Sequence, residues 1–441
     1  MSHLTEDAVK IFHSAVKSVK PASIINQQIQ LTSNILTVKN QEFDLSGFKN
    51  IYVIGLGKAA AYMASALEEK IGDWITEGAV LVKYGHGSLC KKINIYEGGH
   101  PVPDENGKEY SKKLVDIAKK ADKEDLVICL ISGGGSALFE VLPKKISFKD
   151  IQQLNDRLLS SGANITEINT VRRHVSKVKG GQLLNSISPA KCVSLIISDV
   201  MRDPLEDIAS GPTAPDKTTF QDARNIIEKY NLGSKIPSSI LIHLELGTEG
   251  KVSETVKSGE NVLDIANNFI IGNLKLAMDK AAEKADEIGY QVNVMSTLME
   301  GEAEKMGKEI AEKMKSHIAE RSGDDNPVCL IFGGETTVTN TGQGKGGRNQ
   351  ELALAAIIEL QEYERIFTLL SAGTDGTDGP TDAAGAIISK HSITNMRNLN
   401  LQPEAFLKKH NSYNFFEKTD SLFKTGPTGT NVMDLVIVLI E

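Results

Sequence analysis

Cysteine is scarce in this chain, with four among 441 residues, at positions 90, 129, 192 and 329. The last three lie in or beside apolar, strand-like runs with no CxxC pair and no histidine nearby. That pattern excludes a disulfide framework or a cysteine metal site and predicts buried, reduced thiols. Aromatic residues make up only 5% of the chain, which disfavours a sandwich core or a broad stacking surface. Long hydrophobic runs are missing too. Val193 to Ile197 and Leu435 to Ile440 are strand length, far short of the roughly 20 residues that span a bilayer. The first twenty residues read as an amphipathic helix carrying acids, without the apolar stretch of an export signal or the arginine bias of a transit peptide. A cytoplasmic location is the expectation. Basic residues are outnumbered, 49 to 57, for a formal charge of −8. A chain of that sign repels polyanions, so neither nucleic acid nor an anionic membrane is expected as a partner. Small-molecule ligands are expected, and a homo-oligomer is left open.

An apolar fraction of 40% with 24% charged residues is ordinary for a globular protein, and the length suits two α/β domains. Short apolar runs alternate with amphipathic helical stretches, the signature of parallel sheets built from βαβ units. The clearest runs are Ile51 to Ile54, Ala79 to Val82, Leu126 to Ile131, Cys192 to Ile197, Val328 to Phe332, Ile366 to Leu370 and Leu435 to Ile440. The periodicity lapses between 231 and 262, among Gly, Ser, Lys and Glu. The predicted domains are therefore 1–245 and 246–441, with more than one crossing between them allowed.

Glycines and charged residues gather where these strands end, which is where open α/β sheets bind ligands. Gly55, Gly57 and Lys58 follow the first strand. With Ala60 they satisfy Gly-x-Gly-x-x-Ala, but the next strand ends in Lys83 and Tyr84 and lacks the acid of a dinucleotide site. What survives is an anion site made of helix N-terminal amides and an ammonium. Gly133, Gly134, Gly135 and Ser136 form a second loop whose amides can approach a phosphate or carboxylate. Asp199 ends another strand, placed to hold Mg²⁺ or to take a proton from a substrate hydroxyl. Glu335 follows a strand and two glycines, and the loop Gly342 to Gly347 holds Lys345 before Arg348 opens a helix, a further expected anion site. Asp375, Asp378 and Asp382 cluster after a strand and suit Mg²⁺ with a phosphorylated substrate, or simply form turns. Asn431 orients a ligand or fixes a turn. His100 and the run Arg172, Arg173, His174, Lys177 and Lys179 have two readings, a solvated face or contacts to a substrate carboxylate.

In order along the chain, GLGKAA, GGHPVPD, SGGGSAL, NTVRRHVSKVKGG, ISDV with SGPTAPD, GGETTV, GKGGRNQELAL, SAGTDGTDGPTDAAGA and TGPTGTNVMDL resemble the class II glycerate kinases, whose C-terminal part is called the MOFRL domain. The resemblance runs nearly the whole chain. It implies a two-domain α/β fold with a Rossmann-like parallel sheet in the N-terminal domain, a second α/β domain and an active site in the cleft between them. It further implies ATP-dependent phosphorylation of D-glycerate on its 2-hydroxyl. By match to the motifs, Lys58, Arg348 and Asp199 are the expected catalytic residues. Gly133 to Gly135, Ser136, Arg172, Lys345 and Asn431 are expected to bind substrate or phosphate, and Asp375 and Glu335 to hold Mg²⁺. Truncating Lys58 or Arg348 should then cost turnover and leave the fold intact. The alternative is an NAD(P)H-dependent hydroxypyruvate reductase resting on Gly55 to Ala60.

Overall fold

The computed structural model describes residues 2–100, 102–319, 326–339 and 342–441. Pro101, inside the motif GGHPVPD, and residues 340–341, between GGETTV and GKGGRNQELAL, lie outside the described residues. Two compact units divide the chain, one built from residues 24–271 and the other from 1–23 together with 272–441.

The 24–271 unit opens on a small antiparallel meander of β1 (Ile29–Thr32), β2 (Ile35–Val38) and β3 (Gln41–Asp44). Its main sheet contains β4 (Ile51–Leu56), β5 (Glu77–Lys83), β6 (Ile93–Gly98), β7 (Leu126–Ile131), β8 (Lys191–Ile197) and β9 (Ala266–Gly272), in the order β6-β5-β4-β7-β8-β9. The pairs from β6 through to β8 are parallel. β4 and β7 are buried along their whole length, as strands covered on both faces by helices must be. The strand order reverses between β4 and β7, and their C-terminal ends therefore open a crevice in which a ligand can sit.

The stretch 231–262, expected to part the domains, lies inside this unit. Leu232, Ile236, Ile240 and Leu244 are buried with Leu154, Leu158, Val171 and Phe220 in a helical core of their own, and the Val256 N–H donates to the Gly180 carbonyl at 3.0 Å. Its polar composition reflects one solvated side of a packed segment. The chain passes between units at 23/24 and again at 271/272, the second point because β9 joins the first unit's sheet.

In the other unit, β10 (Gln291–Met299), β11 (Val328–Gly334), β12 (Phe367–Gly373), β13 (Gly385–Ser389), β14 (Leu422–Phe423) and β15 (Asp434–Ile440) form a sheet of order β10-β11-β15-β12-β13-β14. Only β10 and β11 pair in parallel; the last strand inserts between β11 and β12, antiparallel to both. The expectation of parallel sheets throughout fails here. A continuous apolar run reports burial on both faces and carries no information on direction. Helix His3–Ser18 belongs to this unit: Ser2 caps it by accepting from the Thr5 N–H, and Leu4, Ala8, Ile11, Phe12 and Ala15 are buried along one stripe. The Phe12 ring meets Phe423 edge-on at 5.2 Å. Among the described residues no helix is long and apolar enough to cross a membrane.

Candidate active site

At the switch point of the first unit, three loops converge. Beyond β4, Gly57 adopts φ +111°, and a side chain there would collide with the Ser132 carbonyl; the left-handed turn and the close approach both call for glycine. The Lys58 N–H donates to the Gly133 carbonyl at 2.9 Å and the Ala59 N–H to Ser132 Oγ at 3.0 Å. These amides, expected to bind an anion, are spent on holding the two loops together. The cationic contribution of this loop is the Lys58 side chain.

Beyond β7, the Asp199 carboxylate packs directly on Gly133, where any Cβ would overlap it. A Cβ on Gly134, at φ +81°, would lie 2.9 Å from His100 Nε2 and 3.2 Å from Lys58 Cγ. The glycine run thus lets an acid, an imidazole and the stem of a lysine close on one turn of backbone. Among the described residues the N–H groups of Gly133 and Gly134 meet no acceptor, so these amides remain able to receive an anion. The Ser136 hydroxyl does not cap the short helix Gly135–Leu138, but pairs with Ser210 Oγ at 2.6 Å. Arg172 Nη2 donates to the Ser136 carbonyl at 2.8 Å, while its Nε is buried without a partner.

Electrostatically this is a cationic pocket around one acid. Burial raises the Asp199 carboxyl above its ordinary range, and the neighbouring Lys58 charge opposes the rise. Burial lowers His100 to about 4, helped by Lys58, Lys83, His86 and Arg172. At neutral pH it is an uncharged imidazole that can donate or accept one hydrogen bond. His86 Nδ1 lies 3.3 Å from the Lys58 carbonyl. The basic run separates into roles: Arg172 reaches the glycine loop, whereas Arg173 is buried against Asp207 and Asp216, each at 3.2 Å, and Lys179 against Glu140 at 2.5 Å. Gln182 Nε2 donates to the Arg173, Ser176 and Lys179 carbonyls.

The other unit builds its own cluster. Arg348 grips Asp434 with two hydrogen bonds, Nε to Oδ2 at 2.5 Å and Nη2 to Oδ1 at 2.9 Å, and Nη1 reaches Glu335 Oε1 at 2.7 Å. Burial opposes the guanidinium charge, but Asp434, Glu335 and Asp378 outweigh it and raise the group further. Two of the amides opening helix Arg348–Leu360, those of Asn349 and Gln350, are not available to an outside anion. Asp378 occupies them, accepting from Asn349 N at 3.0 Å and Gln350 N at 2.9 Å. The anion site expected at this helix start is filled by the protein's own carboxylate, an internal cap that a glycine-rich approach conceals. Lys345 Nζ lies 3.7 Å from the Tyr413 ring centre, a cation over an aromatic face. Asp375 Oδ1 accepts from the Thr377 amide and hydroxyl, both at 3.0 Å, and Asn431 Oδ1 from the Met433 N–H at 3.2 Å. Asp382 accepts from Tyr413 and Lys424.

No group of three or more His, Cys, Asp or Glu side chains able to hold a metal occurs among the described residues. Such a cage is unnecessary for Mg²⁺, which binds through one or two carboxylates with phosphate oxygens and water. Asp375 fits that part, since its Oδ2 takes no protein donor among the described residues. Asp434 was missed by sequence reasoning: an acid opening a wholly buried strand demands a cationic partner, but nothing in the sequence names Arg348, 86 positions away. His86, Ser132 and Ser210 carried no sequence signal at all.

Asp378 also yields a prediction. Burial and the nearby Asp434 raise its carboxyl to about 6, against hydrogen bonds from Asn349 and Gln350 and the Arg348 charge. A group raised above its unfolded value contributes stability fully present below pH 4 and lost as pH rises through 6. Two pH units of separation correspond to about 3 kcal/mol. Urea unfolding of the native chain and Asp378→Asn at pH 4 and pH 7 should therefore show the native chain losing ground to the variant by that order. A gap independent of pH would refute the assignment.

Comparison with known proteins places two families along the chain. Residues 7–245 match a family described as "Domain of unknown function (DUF4147)", and residues 328–434 match the MOFRL family. A glycerate 2-kinase of Pyrococcus horikoshii is 42% identical over 439 residues, 99% of this chain and 97% of the relative. A D-glycerate 2-kinase of Thermotoga maritima is 43% identical over 391 residues, 88% of this chain and 90% of the relative. The crystal structure of a Thermotoga maritima glycerate kinase superposes with a TM-score of 0.88 at 39% identity, covering 100% of both chains. With both of its parts matched and identity sustained along nearly its full length, the chain belongs to the DUF4147/MOFRL family of glycerate 2-kinases.

Proposed function

We propose that this chain transfers the γ-phosphoryl group of ATP to the 2-hydroxyl of D-glycerate, yielding 2-phospho-D-glycerate and ADP. The observation that carries this reading is the convergence of Lys58, Asp199 and the unmatched Gly133 and Gly134 amides on one turn at the sheet's switch point. Phosphoryl transfer asks little covalent chemistry of a protein and much positioning and charge neutralisation. Lys58 and the two amides receive the phosphoryl oxygens. Asp199 accepts the proton of the 2-hydroxyl as the new P–O bond forms and the bond to the β-phosphate oxygen breaks. Its raised carboxyl makes it a better base than an exposed aspartate. Arg172 and Ser136 serve the substrate carboxylate.

Arg348, fixed by Asp434 and Glu335, supplies a positioned cation from the other unit, and Lys345 and Asn431 contact phosphate or substrate. Mg²⁺, when bound, neutralises charge on the phosphates, with Asp375 and Glu335 the residues assigned to it. Assigning both clusters to one reaction, in an active site between the domains, is part of the proposal, as is a cytoplasmic location beside the ATP pool. A dehydrogenase is disfavoured because the Lys58 and Ala59 amides are engaged within the protein, whereas a dinucleotide pyrophosphate needs a free helix N-terminus.

Purified protein with glycerate and MgATP should form ADP and a product whose phosphorus NMR identifies 2-phosphoglycerate. Enolase should consume that product without added mutase. Glycerate-dependent reduction of NAD⁺ without ADP formation would replace this reading with the reductase.

A further inference from the structure

Three of the chain's few tyrosines gather beside the cationic pocket. Tyr96, on β6, stacks on Tyr110 with ring centres 4.3 Å apart and planes 7° from parallel. Tyr84, which follows β5, is held in place by its hydroxyl, which donates to Asp104 Oδ2 at 2.6 Å and accepts from Asn106 Nδ2 at 2.9 Å. Together with Leu89 these residues line a shallow, open cavity of about 540 Å³. Leu89 is 93% exposed and Tyr84 46% exposed. Two large apolar side chains left in water at the mouth of an aromatic-walled cavity call for something to cover them.

The cavity adjoins the phosphate-binding cluster through the backbone itself. Its rim runs through Tyr84 and Gly87, and between them His86 touches the Lys58 carbonyl. The wall also carries an acid, Glu97, at the end of β6 opposite Val82 of β5. Its Oε1 accepts from the Gly85 N–H at 3.0 Å, and its Oε2 has no protein donor among the described residues. An acceptor at a strand end, next to a phosphate site, is the arrangement that binds ribose hydroxyls.

We propose that this cavity is the nucleoside subsite: the purine base of ATP lies against Tyr84, Leu89 and the Tyr96–Tyr110 pair, with its ribose hydroxyls on Glu97 and its phosphates toward Lys58. Stacking on aromatic rings tolerates many bases, while Glu97 and Asn106 supply the polar contacts that orient one. The inference rests on the phosphoryl-transfer reading, so its test separates the two.

Leu89→Asp is the variant of choice because a side chain so exposed is dispensable to the fold. It should raise the KM for ATP at least tenfold, leaving kcat and the KM for glycerate within twofold. Glu97→Gln should raise the KM for ATP several-fold. Adenosine, which lacks phosphates, should bind the native chain by calorimetry without glycerate present, and bind Leu89→Asp at least tenfold more weakly; this arm reads the subsite even if no phosphoryl transfer occurs. Undetectable adenosine binding, or an unchanged KM for ATP in Leu89→Asp, overturns the proposal and leaves the kinase reading standing. Tight NADH binding that Leu89→Asp abolishes while ATP kinetics stay unaltered overturns it in favour of a different nucleotide.

Discussion

Lys58→Ala should lower glycerate phosphorylation at least a hundredfold with no comparable loss of stability. The side chain reaches Gly134 and Asp199 from a turn that its backbone, not its ammonium, holds in place through Lys58 N–H and Gly133 O. Truncation therefore leaves both loops assembled and removes only the charge. A cation aimed at the charge developing on a transferring phosphoryl group is worth about 3 kcal/mol or more. A companion effect follows from Asp199. With Lys58 gone, only a backbone hydrogen bond still opposes desolvation at that carboxyl, so the residual activity should depend on a group of higher pKa and its acidic limb should move to higher pH. Turnover within threefold of the native chain, or an unshifted pH profile, would remove Lys58 from the site.

Arg348→Ala should be costly in a second way. The sequence suggests a cation at a helix start whose loss spares the fold, yet Arg348 is the partner of Asp434, which is 2% exposed. Removing one member of a buried pair leaves an uncompensated charge, typically a loss of about 3 to 5 kcal/mol. Thermal unfolding should therefore register the variant before any assay does. Arg348→Met combined with Asp434→Leu removes both charges and should recover most of that stability while activity stays at least a hundredfold down. If the double variant regains turnover along with stability, Arg348 is only a strut. If the single variant unfolds like the native chain, the pair is not the anchor its geometry suggests.

The legible and illegible parts of the site divide along physical lines. Lys58, the glycine loop and Asp199 could be read because each stands where a buried parallel strand ends, and such ends meet at a switch point whatever the rest of the chain does. The Asn349 and Gln350 amides were misread because the group that fills them, Asp378, arrives from a loop 29 positions away. Composition shows a donor-rich turn but not who has answered it. The same limit hid Asp434. Strand direction in the second sheet was illegible for a different reason: β15 is buried along its whole length because it is central, and a central strand reads alike in either direction. The lapse of periodicity suggests a boundary near 245, whereas the packing of the chain divides it at 23/24 and 271/272 because β9 joins the first unit's sheet.

Helix His3–Ser18 also sets a timetable. Its apolar stripe packs in a unit whose other members begin at residue 272, after the entire 24–271 unit has been made. On a ribosome adding about 5 to 20 residues per second, this early helix waits on the order of ten to fifty seconds for its first packing partner, the helix Leu274–Glu287, to exist. During that interval Leu4, Ile11 and Phe12 have no native surface to cover them, although the 24–271 unit can already fold. The newborn chain thus carries an uncovered greasy helix ahead of a finished body, the form of nascent protein that holding chaperones engage.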